Sequence, residues 1–192
     1  MTFHSIVCDW CKRYKYMLHT KENKRFFLTD SQMGVVDFAK DIANAFSPCV
    51  VMESAVEGGG PINRPSRNYP IYFMVRAEKM ADGDDAAVAK EEAWLHAQNF
   101  LTWLTTMREN ELNEDKRDGD FARINLDDYI DIQSIGPLEN GWFGVMIQFE
   151  REEPLNLCID EDLYPYGKSY GEFADEYFRQ LEERAEEEDS SN

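Results

Sequence analysis

Two stretches of regular alternation, separated by one long amphipathic pattern, constrain this chain more than any other feature. Residues 70–78 set Ile71, Phe73 and Val75 against Tyr72, Met74 and Arg76, and residues 142–150 place Phe143, Val145, Ile147 and Phe149 on one face. A period of two belongs to strands, because successive side chains leave opposite faces of the pleat. Between them, residues 84–108 carry Ala89, Ala93, Ala97, Phe100, Leu101, Leu104 and Met107 at steps of three and four, which gives a helix one apolar stripe. Asp82, Asp84 and Asp85 suit the positive end of its dipole and Arg108 the negative end. A helix flanked by strands must bury that stripe, and the sheet is the available surface.

The remaining pattern extends the same plan. Phe3, Ile6, Val7, Trp10, Tyr14, Met17 and Leu18 predict a helix over 3–18. After Phe26-Phe27-Leu28, the spacing of Thr29 and Gln32 matches a capping box and predicts a second helix to Phe46, ended by Ser47-Pro48. Residues 49–57 read as a strand with Val50, Met52, Ser54 and Val56 on one face. This strand and the one at 70–78 form a hairpin whose long loop, 57–69, begins with Gly58-Gly59-Gly60-Pro61. Residues 124–135 read as a strand broken near Asp127-Asp128, joined to the last alternating strand through Gly136-Pro137-Leu138-Glu139-Asn140-Gly141, where Gly and Asn supply turn conformations. Leu155, Leu157 and Ile159 suggest an edge strand, 164–170 a tyrosine-rich loop, and 171–187 an amphipathic helix with a carboxylate face. The expected fold is α+β: a single, mainly antiparallel sheet packed against helices, with a long β-hairpin loop and helical N- and C-terminal extensions. One domain spans 1–170, followed by an acidic helix and frayed tail at 171–192.

Charge narrows the function. The net charge is −18, yet residues 1–29 hold six basic and two acidic groups, a surplus of +4 that leaves −22 for the remainder. Such acidity disfavours general attraction to phosphate backbones and anionic lipid, so neither tight nucleic-acid binding nor membrane association is expected. The uneven layout suits head-to-tail self-association, with Lys12, Arg13 and Lys15 meeting Glu182, Glu183, Glu186 and Glu187 of another copy. No apolar run approaches the ~20 residues of a membrane span, and Cys8, Asp9, Lys12 and Arg13 interrupt any leader-like segment. A cytoplasmic site of synthesis follows, with Cys8, Cys11, Cys49 and Cys158 reduced.

Catalytic motifs are missing. Cys8-Asp9-Trp10-Cys11 has the spacing of a redox pair but lacks the preceding strand that such a pair needs. His4, Cys8, Cys11 and His19 include zinc-ligand types, but a continuous helix would carry His19 two turns past Cys11; a site would need a break near Lys15. His96 reads as a solvent-facing helical residue with no partner to make it a general base. Asp127, Asp128 and Asp131, and likewise Asp160, Glu161 and Asp162, lack the spaced ligands and glycine of a calcium loop. Gly58-Gly59-Gly60 lacks the Lys and the following helix of a phosphate loop. No catalytic residue, metal site or cofactor is assigned, and the chain is read as a non-enzyme. Asn63, Arg64, Arg67 and Tyr69 form the presumed contact of a projecting arm, since arginine suits a partner's carboxylates.

The closing run Ile130-Asp131-Ile132-Gln133-Ser134-Ile135, with Asn140-Gly141-Trp142-Phe143-Gly144-Val145-Met146-Ile147-Gln148-Phe149, resembles the last hairpin of phage tail-terminator and related neck or tail-completion proteins. The order of elements from 49 to 150 is similar too. The resemblance implies a small α+β virion protein of a phage or prophage, forming a ring-like homo-oligomer at the tail or neck and touching other virion proteins. It implies no covalent chemistry, and it makes the 57–69 loop an arm reaching a neighbour. Two other readings stay open: an acidic DNA mimic binding a basic partner, and a metal-dependent hydrolase using scattered carboxylates.

Overall fold

The computed structural model describes residues 2–29, 45–54, 58–59, 65–78, 83–127, 130–138 and 141–153. All of them belong to one compact unit, Met1–Leu155. The helix expected over 31–46 lies almost wholly outside the described residues. The loop tip, the segments at 155–159, 164–170 and 171–187, and the boundary at 170 also lie outside them.

The elements are α1 (Phe3–Arg13), β1 (Phe26–Thr29), β2 (Cys49–Glu53), β3 (Gly58–Gly59), β4 (Ser66–Arg76), α2 (Gly83–Asn113), β5 (Ile124–Asn125), β6 (Asp131–Leu138) and β7 (Trp142–Glu152). They form an α+β fold on one mixed sheet. Its order is β1-β2-β4-β7-β5, with β3 on β4 and β6 on β7. Among the described residues, only β1 and β2 run parallel and every other pairing is antiparallel. The spine is the β4–β7 ladder, in register from Ser66 opposite Glu152 to Arg76 opposite Trp142. Both β5 and β6 pair with β7 on its other side. They are therefore two pieces of the strand expected over 124–135, interrupted between Asn125 and Asp131.

The alternation acts as anticipated, but on two cores. Ile71, Phe73, Val75, Val145, Ile147 and Phe149 join α1 and α2 in one apolar cluster. Tyr72, Met74, Cys49, Val51, Trp142 and Met146 form a second cluster on the opposite face. That double burial explains why all five residues of β2 are buried, although a one-sided antiparallel sheet would leave alternate residues wet. On the first face, Ala89, Ala93 and Ala97 bring α2 close to the strands, and Phe100 meets Phe73 at 5.5 Å and Trp10 at 5.1 Å.

Helix α1 is shorter than its apolar spacing suggests. Tyr14 leaves the helix in extended conformation (φ −73°, ψ 121°), Leu18 has φ +43°, and the His19 N–H returns to the Cys11 carbonyl at 3.0 Å. The spacing continues because Tyr14 packs on Trp10 at 4.5 Å and Met17 is buried from the turn rather than from the helix. The Asn23 side-chain amide donates to the Met17 and Leu18 carbonyls at 3.2 and 3.3 Å, satisfying groups the turn releases.

Helix α2 runs five residues past Arg108, to Asn113. Glu111 in its last turn opposes the helix dipole. Its carboxylate, however, accepts the N–H groups of Phe121 and Ala122, both at 2.8 Å. The helix end and the turn at 114–123 are thereby held together.

The arm is also shorter than expected. Gly58 and Gly59 pair with Arg67 and Ser66, so Ser66, Arg67, Asn68 and Tyr69 belong to β4 and not to a loop. Glycine is required at 58, where a Cβ would stand 2.7 Å from the Ser66 carbonyl oxygen. The closing hairpin differs as well: β6 continues through Leu138 across a register shift after Ile135. Gly136 makes the shift, with φ +108° and space for no Cβ beside the Trp142 carbonyl.

Candidate functional site

The β6 strand forms an open edge of the sheet. Its only strand partner among the described residues is β7, so its other row of peptide groups faces outward. Gln133, Ser134, Gly136 and Pro137 are exposed, and Ile132 is 39% exposed. Proteins protect such edges with charge, proline or a bulge. Here Asp131 guards one end, binding the Gln133 amide at 2.6 Å, and Gly136-Pro137 bends the other. Ile132, Gln133, Ser134 and Ile135 between them carry no charge and no proline. This segment offers a neighbouring chain backbone donors, acceptors and the exposed side chain of Ile132, whereas Ile135 packs against the second core.

The residues proposed for the arm and the basic face do not converge. Tyr69 is buried at 6% exposure, its ring 4.8 Å from that of Phe3. Its hydroxyl donates to the Glu153 carboxylate, and burial, reinforced by that carboxylate, pushes its pKa up to about 12. It is a core residue, because residue 69 shares its strand face with Ile71 and Phe73. Arg67 is exposed, with Nε 3.3 Å from Glu153. Lys12, Arg13 and Lys15 are exposed at the end of α1 and in the following turn. Arg13 pairs with Asp9 at 2.9 Å, four residues earlier, a solvated bridge of small worth. Asn63, Arg64, Glu182, Glu183, Glu186 and Glu187 lie outside the described residues.

The break after α1 that a zinc site would need does occur, at Tyr14. It nevertheless directs His19 to another use: its Nδ1 accepts the Arg25 N–H at 3.0 Å. Cys11 is fully buried, and burial drives its thiol pKa well up, away from the thiolate that metals bind. Among the described residues, no group of three or more His, Cys, Asp or Glu side chains is placed to hold a metal.

His96 is not solvent-facing. It is 2% exposed, on the same stripe of α2 as Ala93, Ala97 and Phe100. The Tyr14 hydroxyl donates to its Nδ1 at 3.1 Å, and its Nε2 faces the Glu92 carboxylate at 3.4 Å. A neutral ring protonated on Nε2 satisfies both contacts. Burial lowers its pKa, opposed by Glu92. Burial first, then Tyr16 and Glu92, raises that of Tyr14. Both groups thus stay neutral near pH 7, and the pair pins the turn after α1 to α2. The clue was spacing: residue 96 falls on the stripe, and only its polar label argued against burial.

The end of the sheet where β4 begins and β7 finishes is polar. One cavity of about 430 Å³ includes Arg67, Asp120, Arg123, Arg151 and Glu153 in its walls, beside the start of α1. Arg151 is almost wholly buried and reaches Asp120 at 3.0 Å and Glu153 at 3.6 Å. A second cavity, of about 470 Å³, shares Arg123. Sequence reading missed this cluster because its members come from β4, the turn after α2, and the end of β7 with the residue that follows it.

No protein-family model matches the chain, and neither does any curated protein. No helix among the described residues is long and apolar enough to cross a membrane.

Proposed function

We propose that this chain is a non-enzymatic assembly protein whose copies join through the β6 edge, in the manner of a ring-forming subunit of a phage or prophage tail or neck. The observation that carries this reading is the uncharged run Ile132–Ile135, exposed at Ile132, Gln133 and Ser134, on an edge with no further strand partner among the described residues. An added strand would complete its backbone hydrogen bonds and cover Ile132. If β6 meets β6, the contact is two-fold and stops at a dimer; if β6 meets a different surface, repetition gives a ring where the rotation closes and a filament where it does not. A net charge of −18 suits a ring through which DNA slides without being held.

The test is the absolute mass in solution across protein concentration, by light scattering or native mass spectrometry. The expected result is a mass of several chains, reduced to one chain by the double variant Ile132→Lys, Ser134→Lys. Both side chains are at least partly exposed, so the monomer fold should survive. A monomer at every concentration, or an oligomer indifferent to the two lysines, rejects the β6 contact.

A further inference from the structure

The polar end of the sheet holds guanidiniums that the assembly surface does not use. Arg108 comes from the last turns of α2, and Arg117 and Arg123 from the turns that follow. With Ser66, Asn125 and Glu150 they line the cavity of about 470 Å³. Three buried side-chain nitrogens among the described residues lack a hydrogen-bond partner: Arg108 Nε, Arg123 Nε and Trp142 Nε1. Two of the three belong to this one cavity. A buried donor without an acceptor is rare in native proteins, because its hydration is lost and nothing replaces it.

The carboxylates that line this cavity, Asp127, Glu150 and Glu152, all belong to residues that already have a partner. Arg108 presents Nη1 and Nη2 to the Asp127 carboxylate, the first at 3.0 Å. Arg117 Nε lies 3.4 Å from Asp115, and Glu150 accepts the Ser66 hydroxyl. In the adjoining cavity Arg67 and Arg151 face Asp120 and Glu153. Arg123 has no carboxylate partner among the described residues; its backbone carbonyl alone is engaged, by the Glu152 N–H at 2.9 Å. It lines both cavities, so the one unmatched guanidinium of the cluster stands at their common wall.

We propose that this cavity binds a small oxyanion, with the guanidinium of Arg123 and the Nε–H of Arg108 as its donors. Guanidinium is suited to such a ligand because its planar fork matches two oxygens at once. Phosphate offers the most acceptors; a carboxylate would engage the same donors with fewer. The site lies beside β5, at the end of the same sheet edge that carries β6, but it uses none of the residues Ile132–Ile135 and does not depend on the assembly reading.

The test uses the full chain labelled with nitrogen-15 and follows the arginine Nε–Hε resonances. Inorganic phosphate is titrated against sodium chloride of equal ionic strength, with acetate in a parallel series. The expected result is saturable movement of the Arg108 and Arg123 signals with phosphate and not with chloride. Arg123→Gln should weaken that binding about tenfold, or about 1.4 kcal/mol, while amide dispersion shows the fold intact. Arg123→Lys, which keeps charge but loses the fork, should fall between the two. Saturation by acetate alone would support the site with carboxylate as its ligand group. Saturation by neither anion, or equal phosphate binding by wild type and both variants, overturns the proposal and leaves the two nitrogens to water.

Discussion

At the scale of single residues, His96 shows how a titratable group becomes part of a core. Its ring takes a stripe position that an alanine or leucine could occupy, and its two nitrogens find Tyr14 and Glu92. The charges around it are Glu92 on its own helix and Arg25, with the phenols of Tyr14 and Tyr16 on the turn. Burial is the largest influence and depresses the pKa below the ordinary value. The folded state therefore resists protonation, while the unfolded chain accepts a proton near pH ~6.5. Stability should be complete above that value and should fall as pH drops through it towards the folded-state pKa. His19, also depressed chiefly by burial, adds to the same slope. Urea unfolding at pH 7.5 and 5.5 measures the loss. His96→Gln should lower stability at pH 7.5 and shrink the difference between the two pH values; an undiminished difference would assign the slope to His19 or other groups.

At the scale of elements, the informative contact is the end of α2. Helical spacing makes the helix, but Glu111 decides where its last turn is held. Its carboxylate takes two backbone donors that the 114–123 turn would otherwise leave to solvent. Glu111→Ala should cost about 2 kcal/mol in urea unfolding, as two hydrogen bonds to a charged group are lost. Hydrogen exchange should accelerate at the Phe121 and Ala122 amides. Equal exchange in the variant would mean that the turn holds itself. The legibility of the elements followed their periodicity. The strands at 70–78 and 142–150 and the stripe of α2 were evident because each repeats one period over several residues. The end of α1 was not: Tyr14 and Met17 keep helical spacing while packing from a turn. The length of β4 was hidden as well, because Ser66, Arg67 and Asn68 become a strand through pairing with distant segments, β3 on one side and β7 on the other.

At the scale of the whole molecule, charge and edge act in opposite directions. Copies carrying −18 each repel, whereas the proposed strand addition at β6 would depend on short-range hydrogen bonds and aliphatic cover. Screening weakens the first and barely alters the second. Raising sodium chloride from 0.05 to about 0.5 M should therefore increase the average mass in light scattering, given a Debye length that shrinks several-fold over that range. A mass that falls with salt would favour contacts between opposite charges, such as the basic end of α1 against an acidic segment.

The sequence by itself determined the fold class, the face of each long strand, the apolar stripe of α2 and the strongly acidic balance. These are properties of local period and of composition, which need no partner in space. Tertiary structure decided the burial of His96 and Tyr69, the two-sided core of β2 and β4, the open edge of β6 and the meeting of Arg67, Arg108, Arg117, Arg123 and Arg151. Each of those depends on segments far apart in the chain. A side chain's environment is set by what packs against its element, and no period along one segment records what a distant segment brings.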